Sequence, residues 1–343
     1  MAVMGDAWRA YRMRWKRRRL RYRAFRKRHE ISPVRDRTNQ ISKTDVIAFS
    51  TMRNEMLRLP YFLDHHRRLG IRHFLIVDNQ SDDGTAAYLA EQPDVSLWTS
   101  AHSYKASRFG VDWLTWLMLK YGHGRWCLTV DADELLIYPH WPDRPLDQLT
   151  AWLDQNGIQA FGALMLDIYP KGPTDQARYK AGQDPAEVLN WFDADGYTSK
   201  RQKPLMNLWQ QGGARARVFF ADTPRLAPTL NKLPLVKWNR RFVYVNSTHS
   251  MMPPRMNLAY DGVGGSTLSG VLLHTKFLHS IADRSAEEQV RKEHFYDSSL
   301  YDPYYDRLKE SPDLWCPDSV RYEGWEQLVR LGLMSAGDWP DQI

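Results

Sequence analysis

Two aspartates two residues apart, Asp131 and Asp133, close an apolar run that begins at Trp126, and Glu134 follows directly. At the end of a strand, residues i and i+2 face one side. Two carboxylates placed so, with a third beside them, form a hard oxygen site suited to Mg²⁺ or Mn²⁺. Such an ion can bridge a diphosphate and neutralise the charge that develops as it leaves. The same residues would also serve as an acidic capping turn. A second polar cluster, Asp78-Asn-Gln-Ser-Asp-Asp-Gly-Thr85, ends another apolar run. There an Asp or Asn can accept from a ribose hydroxyl or a base N–H, while Ser81 or Asp83 caps a following helix. Arg53, Asn54 and Glu55 form a third cluster after a third apolar run, within reach of a base or a phosphate.

Such clusters need elements that bring them to a common rim. Residues 45–50, 73–78, 95–99 and 125–130 read as buried strands. Residues 53–70 with Gly70 as stop, the segment opening at Thr85, and residues 109–121 ended by Gly122 read as the helices between them. Strands alternating with helices predict a parallel sheet with right-handed crossovers. Ligands bind such sheets beyond the carboxyl ends of the strands, where all three polar clusters fall. After Pro139 the pattern loosens. Residues 162–167 fit a strand, 186–270 short strands and long loops, and 285–296 a charged helix.

The runs Phe49-Ser-Thr-Met-Arg-Asn-Glu55, Asp78 to Thr85, and Val130-Asp-Ala-Asp-Glu134 resemble, in order and spacing, the glycosyltransferase family 2-like superfamily with the GT-A fold. Within it the resemblance is to a bacterial subgroup with R-N-E, D-N-x-S-x-D-G-T and D-x-D-E elements. It covers residues 45–140, and more loosely 233–238 and 272–276. It implies an α/β fold of GT-A type: a Rossmann-like, mostly parallel sheet flanked by helices. It also implies an inverting, hexosyltransferase-like enzyme. The donor would be a nucleotide diphosphate sugar, a UDP-sugar first, and the acceptor a glycan or glycolipid. Carried onto this chain, Arg53, Glu55 and Asp78 would bind the nucleoside. Asp131 and Asp133 would serve nucleotide and metal, Mn²⁺ or Mg²⁺, with His274 completing the metal shell and His249 as its rival. Lys232, Lys237 and Lys276 would meet phosphates, and Arg108 would lie near the sugar or diphosphate. The acidic motif that supplies the catalytic base in inverting members has no clean match. Asp167 is the first choice, with Asp193 and Asp195 as alternatives; Asp167 equally suits a strand-end turn before Tyr169 and Pro170.

Composition fits a large globular body. Of 343 residues, 43% are hydrophobic and 13% aromatic, ample for a sizeable core. The abundant Trp and Tyr suit sugar-binding surfaces as well as ordinary packing. Cys127 and Cys316 are the only cysteines, which excludes a disulfide framework and indicates a reducing compartment. No run approaches the ~18 apolar residues that span a bilayer, and the first residues lack the apolar core of a secretory signal.

The net charge of +7 belongs to a tail. Residues 1–30 hold twelve Lys or Arg against Asp6 and Glu30, a net of +10, which leaves 35 basic and 38 acidic side chains, a net of −3, for the body. Residues 6–29 read as one basic amphipathic helix, with Met4, Trp8, Tyr11, Trp15, Tyr22 and Phe25 forming an aromatic stripe. Such a helix suits an anionic membrane surface; a solvated arm, an RNA-binding segment or a targeting peptide shares its composition. The expected organisation is a membrane-surface helix (1–30), a linker (31–44), a nucleotide-sugar half (45–140), an acceptor half with a metal and phosphate loop (141–300) and an appendage (301–343). The expected place is cytoplasmic, peripheral at the inner membrane face. No nucleic-acid partner is expected, because no RNA-recognition motif occurs.

Two other functions compete. A HAD-like phosphatase also uses D-x-D after an apolar strand, but there Thr or Val should closely follow the second Asp, where Glu134 and Leu135 stand. A non-enzymatic membrane or nucleic-acid adaptor accounts for the tail and leaves the three polar clusters idle.

Overall fold

The computed structural model describes residues 2–293 and 298–340. In chain order the first elements are α1 (Ala2–Arg26), β1 (Ser32–Arg35), β2 (Ile47–Met52), α2 (Leu59–Leu69), β3 (His73–Asp78), α3 (Thr85–Glu91), β4 (Val95–Thr99), α4 (Val111–Leu117), β5 (Trp126–Thr129) and β6 (Glu134–Ile137). Then come α5 (Leu146–Gln155), β7 (Ala160–Asp167), β8 (Trp191–Asp193), β9 (Thr198–Gln202), β10 (Asn207–Gln211), α6 (Gly213–Phe219), β11 (Asn231–Lys237), β12 (Val243–Tyr244), β13 (Met251–Met252) and β14 (Ser269–His274). The remaining elements are α7 (Ile281–Arg291), α8 (Asp302–Lys309), β15 (Ser319–Arg321) and α9 (Trp325–Arg330).

Nine strands form one sheet in the order β1-β4-β3-β2-β5-β11-β7-β14-β6. β4, β3, β2 and β5 are parallel to one another, as are β7 and β14, while β1, β6 and β11 run against every neighbour. Since β11 opposes both β5 and β7, six strands run one way and three the other. The sheet is mixed and mostly parallel.

Both faces are covered, and the period of two along each strand decides which side chain goes where. Ile47, Phe49, Leu75 and Val77 point into a core with Trp113 and Leu117 of α4. Ala48, Phe74 and Ile76 point into the opposite core with Leu63 of α2, Leu89 of α3 and Leu149 of α5. Each such buried Leu or Phe is worth ~1.5–3 kcal/mol of transfer from water.

Several elements differ from the sequence reading for local reasons. The helix expected from residue 53 starts at Leu59, with Pro60 in its first turn. The preceding turn is instead tied to the second polar cluster: the Asn54, Glu55 and Met56 N–H groups donate to Ser81 Oγ, Thr85 Oγ1 and Asp83 Oδ2. Gly70, at φ 104°, ends that helix as expected. Within the expected linker, Ser32–Arg35 adds an antiparallel edge strand to β4, where Pro33 is tolerated. Gly110, at φ 73°, lets the chain pass so close to Thr51 that a Cβ would stand 2.5 Å from its Oγ1. The charged helix runs from Ile281 to Arg291; residues 294–296 of the expected span lie outside the described residues.

The basic tail is helical from Ala2 to Arg26. Its second half packs on α4: Ala24 is buried, Phe25 meets Trp116 edge-on at 5.8 Å, and Arg23 Nε donates to Asp112 Oδ2 at 2.6 Å. Trp8, Tyr11, Trp15 and Tyr22 remain exposed, and Met4 falls outside the described side chains. No described helix is long and apolar enough to cross a membrane.

Candidate active site

The carboxyl ends of β2, β3, β5 and β14 open on a cavity of about 590 Å³. β11 runs the other way, so its N-terminal residues reach the same rim. The wall gathers Arg53 and Glu55 after β2, Asn79 after β3, and Asp131, Asp133 and Glu134 around the β5–β6 turn. Lys232, His249, His274 and Lys276 join them, with Arg215 and, from α7, Arg284, Glu288 and Arg291.

At its centre His274 stands between two aspartates. Nδ1 lies 2.6 Å from Asp167 Oδ1, and Nε2 lies 3.1 Å from Asp133 Oδ2. The other Asp167 oxygen accepts from Arg215 Nε at 2.7 Å. Burial by itself would lower the imidazole, but Asp133 and Asp167 together raise it. Burial would raise the Asp133 carboxyl, yet His274, Arg58 and Arg284 hold it well below the ordinary carboxylate range. For Asp167 the opposition to burial comes from Arg215 and His274, and its carboxyl is also lowered.

This array meets the demands of a divalent ion. A backing carboxylate that accepts a hydrogen bond from Nδ1–H leaves Nε2 free as a ligand and fixes the ring. Two neighbouring ligands on an octahedral ion with ~2.1 Å bonds stand about 3.0 Å apart, close to the Asp133–His274 separation. Asp131, by contrast, turns towards Lys232, whose Nζ donates to its Oδ2 at 3.2 Å and forms an ion pair with Glu134 at 2.9 Å. Among the described residues no three His, Cys, Asp or Glu side chains gather as a metal centre. The fitting set is two protein donors, with the rest of the shell left to phosphate oxygens and water, as hard ions at diphosphates commonly have it.

Around this pair the wall is rich in cations. Arg215 Nη2 is buried without a hydrogen-bond partner. Burial and the nearby Arg215 charge bring Lys276 down to about 8. Lys232 is raised, because Asp131 and Glu134 outweigh its burial. Glu288 is the exceptional carboxylate: Oε1 accepts from Arg291 at 2.7 Å, while Oε2 is buried without a partner. Burial raises its carboxyl above the usual range.

Other residues singled out in the sequence take varied places. Arg53 donates to Asn79 O at 3.0 Å and to Glu287 at 3.1 Å. Glu55 accepts from Arg58 at 3.2 Å and from Arg284 at 2.7 Å. Asp78 is buried behind the wall, where one oxygen accepts from the Ser81 N–H at 3.1 Å, and its neighbour Asn79 reaches the cavity instead. His249 lines the cavity, but its Nδ1–H donates to Asn231 O at 2.7 Å, and burial with Lys232 nearby pushes the ring down to about 3.

Four expectations meet a different geometry. Lys237 is five residues beyond Lys232 on an extended strand, ~17 Å away, and pairs with Asp154 at 2.6 Å on the opposite rim. Arg108 does not line the cavity; it donates to Asp112 at 2.8 Å and to Tyr244 O at 3.0 Å, fixing the loop that presents Tyr104 and Phe109. Asp167 lies behind His274 with both oxygens engaged, so neither is offered to the cavity. Asp193 pairs with Arg217 at 2.8 Å, and neither it nor Asp195 is on the wall. The sequence reading missed Arg215, Arg284 and Glu288. Arg284, Glu288 and Arg291 recur at helical spacing, a one-face pattern that could have marked them; Arg215 carried no such signal.

No protein-family model matches the chain, and no curated protein matches it. Solved structures do match. A 4-diphosphocytidyl-2C-methyl-D-erythritol synthase has 18% identity over 42% of this chain and 67% of that one, with a TM-score of 0.25. A UDP-glucose pyrophosphorylase complexed with UDP-glucose has 11% identity over 70% of this chain and 88% of that one, TM-score 0.28. An apo UDP-glucose pyrophosphorylase has 11% identity over 72% and 100%, TM-score 0.27.

Proposed function

We propose that this protein is a glycosyltransferase that moves a sugar from a nucleotide diphosphate sugar, a UDP-sugar first, to a hydroxyl of a glycan or glycolipid. The observation that carries the reading is the Asp133–His274–Asp167 array, set at the carboxyl ends of the strands among Arg215, Lys232 and Lys276. Asp133 and His274 would hold Mn²⁺ or Mg²⁺, which when bound would neutralise charge on the diphosphate. Asp167 positions His274. Arg215 Nη2 and Lys276 receive phosphate oxygens in a site where fixed donors need no reorganisation. Arg53, Glu55 and Asn79 face the nucleoside, and Asp131 exchanges Lys232 for donor hydroxyls.

Glu288 acts as the base. Its raised carboxyl and uncommitted oxygen suit proton uptake better than an aspartate already engaged on both sides. The acceptor oxygen gives its proton to Glu288 Oε2 and bonds to the anomeric carbon as the bond from that carbon to the diphosphate breaks. The basic, aromatic helix α1 lies on the anionic inner face of the cytoplasmic membrane, near a lipid-linked acceptor.

The test is thermal unfolding with UDP-, GDP-, CMP- and dTDP-sugars, with and without Mn²⁺. A ligand at ~100 times its Kd adds about 2.7 kcal/mol. Metal-dependent stabilisation by one nucleotide class, followed by sugar transfer from it, is the expected result. No stabilisation by any of the four would overturn the reading.

A further inference from the structure

We infer that α1 and the turn between β11 and β12 form a binding site for the phosphate of a lipid headgroup, with Arg17, Arg18, Arg21, Arg240 and Arg241 as its cations. The proposal rests on the membrane-facing role of α1 only for the source of the phosphate, and not on the chemistry of the main cavity.

The geometry is that of an incomplete ion cluster. Arg17 and Arg21 stand one helical turn apart, and each has a buried Nε with no hydrogen-bond partner. Arg240 and Arg241 precede β12, which packs against α1, and burial and neighbouring arginines, Arg241 among them, lower the Arg17 and Arg21 guanidinium groups. Among the described residues none of the five arginines forms an ion pair with an acidic side chain, and Asp112 of α4 and Glu30 just after α1 are already paired, with Arg23 and Lys27. Guanidinium groups held together without a counter-charge repel, whereas one phosphate among them gains several charge-assisted bonds at once.

Beside the cluster runs a groove of about 390 Å³ lined by Arg18, Arg21, Arg240, Tyr22, Phe25 and Leu119. Cations above an apolar floor match a phosphate followed by hydrocarbon better than a fully polar anion. Along the same helix Trp8, Trp15 and Tyr22 are 60%, 53% and 60% exposed. That is a costly display in water and a favourable one at the headgroup level of a bilayer.

The full chain should be tested by vesicle sedimentation at physiological salt. One set of phosphatidylcholine vesicles contains phosphatidic acid, and a second contains phosphatidylserine at matched surface charge. The phosphomonoester should be preferred by about tenfold, the scale of one or two added charge-assisted bonds. Arg17→Gln/Arg21→Gln and, from the other wall, Arg240→Gln/Arg241→Gln should each abolish that preference. Arg12→Gln/Arg26→Gln, which removes equal charge from exposed positions of α1, should weaken binding to both vesicles alike and keep the preference. Absence of preference in the unmodified protein, or its survival in both cluster variants, would overturn the site. Displacement from vesicles by inorganic phosphate or pyrophosphate below millimolar concentration would overturn the lipid source, and tighter binding of single-stranded RNA would replace it with a nucleic acid. Nucleotide-dependent thermal stabilisation of the same variants separates this failure from failure of the donor cavity, because it should be unchanged.

Discussion

His274 is held on both sides, and the two sides do different work. Asp167 behind it is buried and shared with Arg215, while Asp133 in front is a quarter exposed to the cavity. If Asp167 positions the ring, Asp167→Asn should weaken Mn²⁺ binding by ~10–100-fold, the usual cost of losing such a backing carboxylate. Calorimetry with UDP present would show it, and Asp133→Ala should remove the metal-dependent heat altogether. Glu288→Gln should do the opposite, leaving Mn²⁺ and donor affinity intact while slowing transfer by ~10²–10⁴-fold. Full Mn²⁺ affinity in Asp167→Asn with a slowed rate would return the base to Asp167. The sequence made Asp131 and Asp133 visible because a spacing of two at a strand end is a local signal. It could not show that Lys232 would claim Asp131, or that Arg215 would claim Asp167, because those contacts join residues 101 and 48 positions apart. Lys237 was misplaced for a related reason: its residue type matched a phosphate contact, but the antiparallel course of β11 carries it to the far rim.

Among the elements, α4 is the joint between the basic helix and the cavity. Asp112, wholly buried, accepts from Arg23 of α1 at 2.6 Å and from Arg108 at 2.8 Å. Arg108 and Phe109 both hold positive φ, 56° and 58°, a conformation that persists only where surrounding bonds enforce it. Asp112→Ala should therefore cost ~1–3 kcal/mol, the range for losing hydrogen bonds to a charged group, because Arg23 is 41% exposed and can be rehydrated. Urea unfolding would measure it, and a loss under 1 kcal/mol would mean that the joint is dispensable. The same joint limits how much of the tail can be removed. Truncation before Arg17 should leave the unfolding midpoint unchanged, whereas removal of residues 1–30 should lower it, since Trp113 Nε1 donates to Glu30 at 2.9 Å. β3 and β4 were legible as apolar runs between turn signals. β1 and β6 were not. β1 is exposed throughout and reads as polar linker, while β6 follows β5 after a tight acidic turn with no room for the helix that a βαβ reading expects.

On the scale of the whole molecule, histidine sets how stability responds to pH. His65 and His66 lie between α2 and the sheet, and His249 lies on the cavity wall. Burial holds His65 down to about 4, His66 well below its usual value and His249 down to about 3. Each is neutral when folded and free to take a proton when unfolded, so below pH ~6.5 the unfolded chain binds more protons than the folded one. Stability contributed by these rings is therefore complete above pH ~6.5 and is lost as pH falls towards their folded values. His274 acts in the other direction, because its pairing with Asp133 and Asp167 stabilises at low pH and fades as pH rises through its raised folded value. His73 is lowered by burial as well, so four rings oppose one, and the net slope between pH 6 and 5 should be a fall in stability on acidification. His65 is the cleanest probe: its Nε2–H donates to Leu136 O at 2.9 Å, a bond that a glutamine amide can replace without titrating. Urea unfolding of His65→Gln over that interval should show a slope shallower than the unmodified protein's by roughly 1 kcal/mol per pH unit. An unchanged slope would mean that His65 is already charged when folded, with water or an anion reaching the space behind α2.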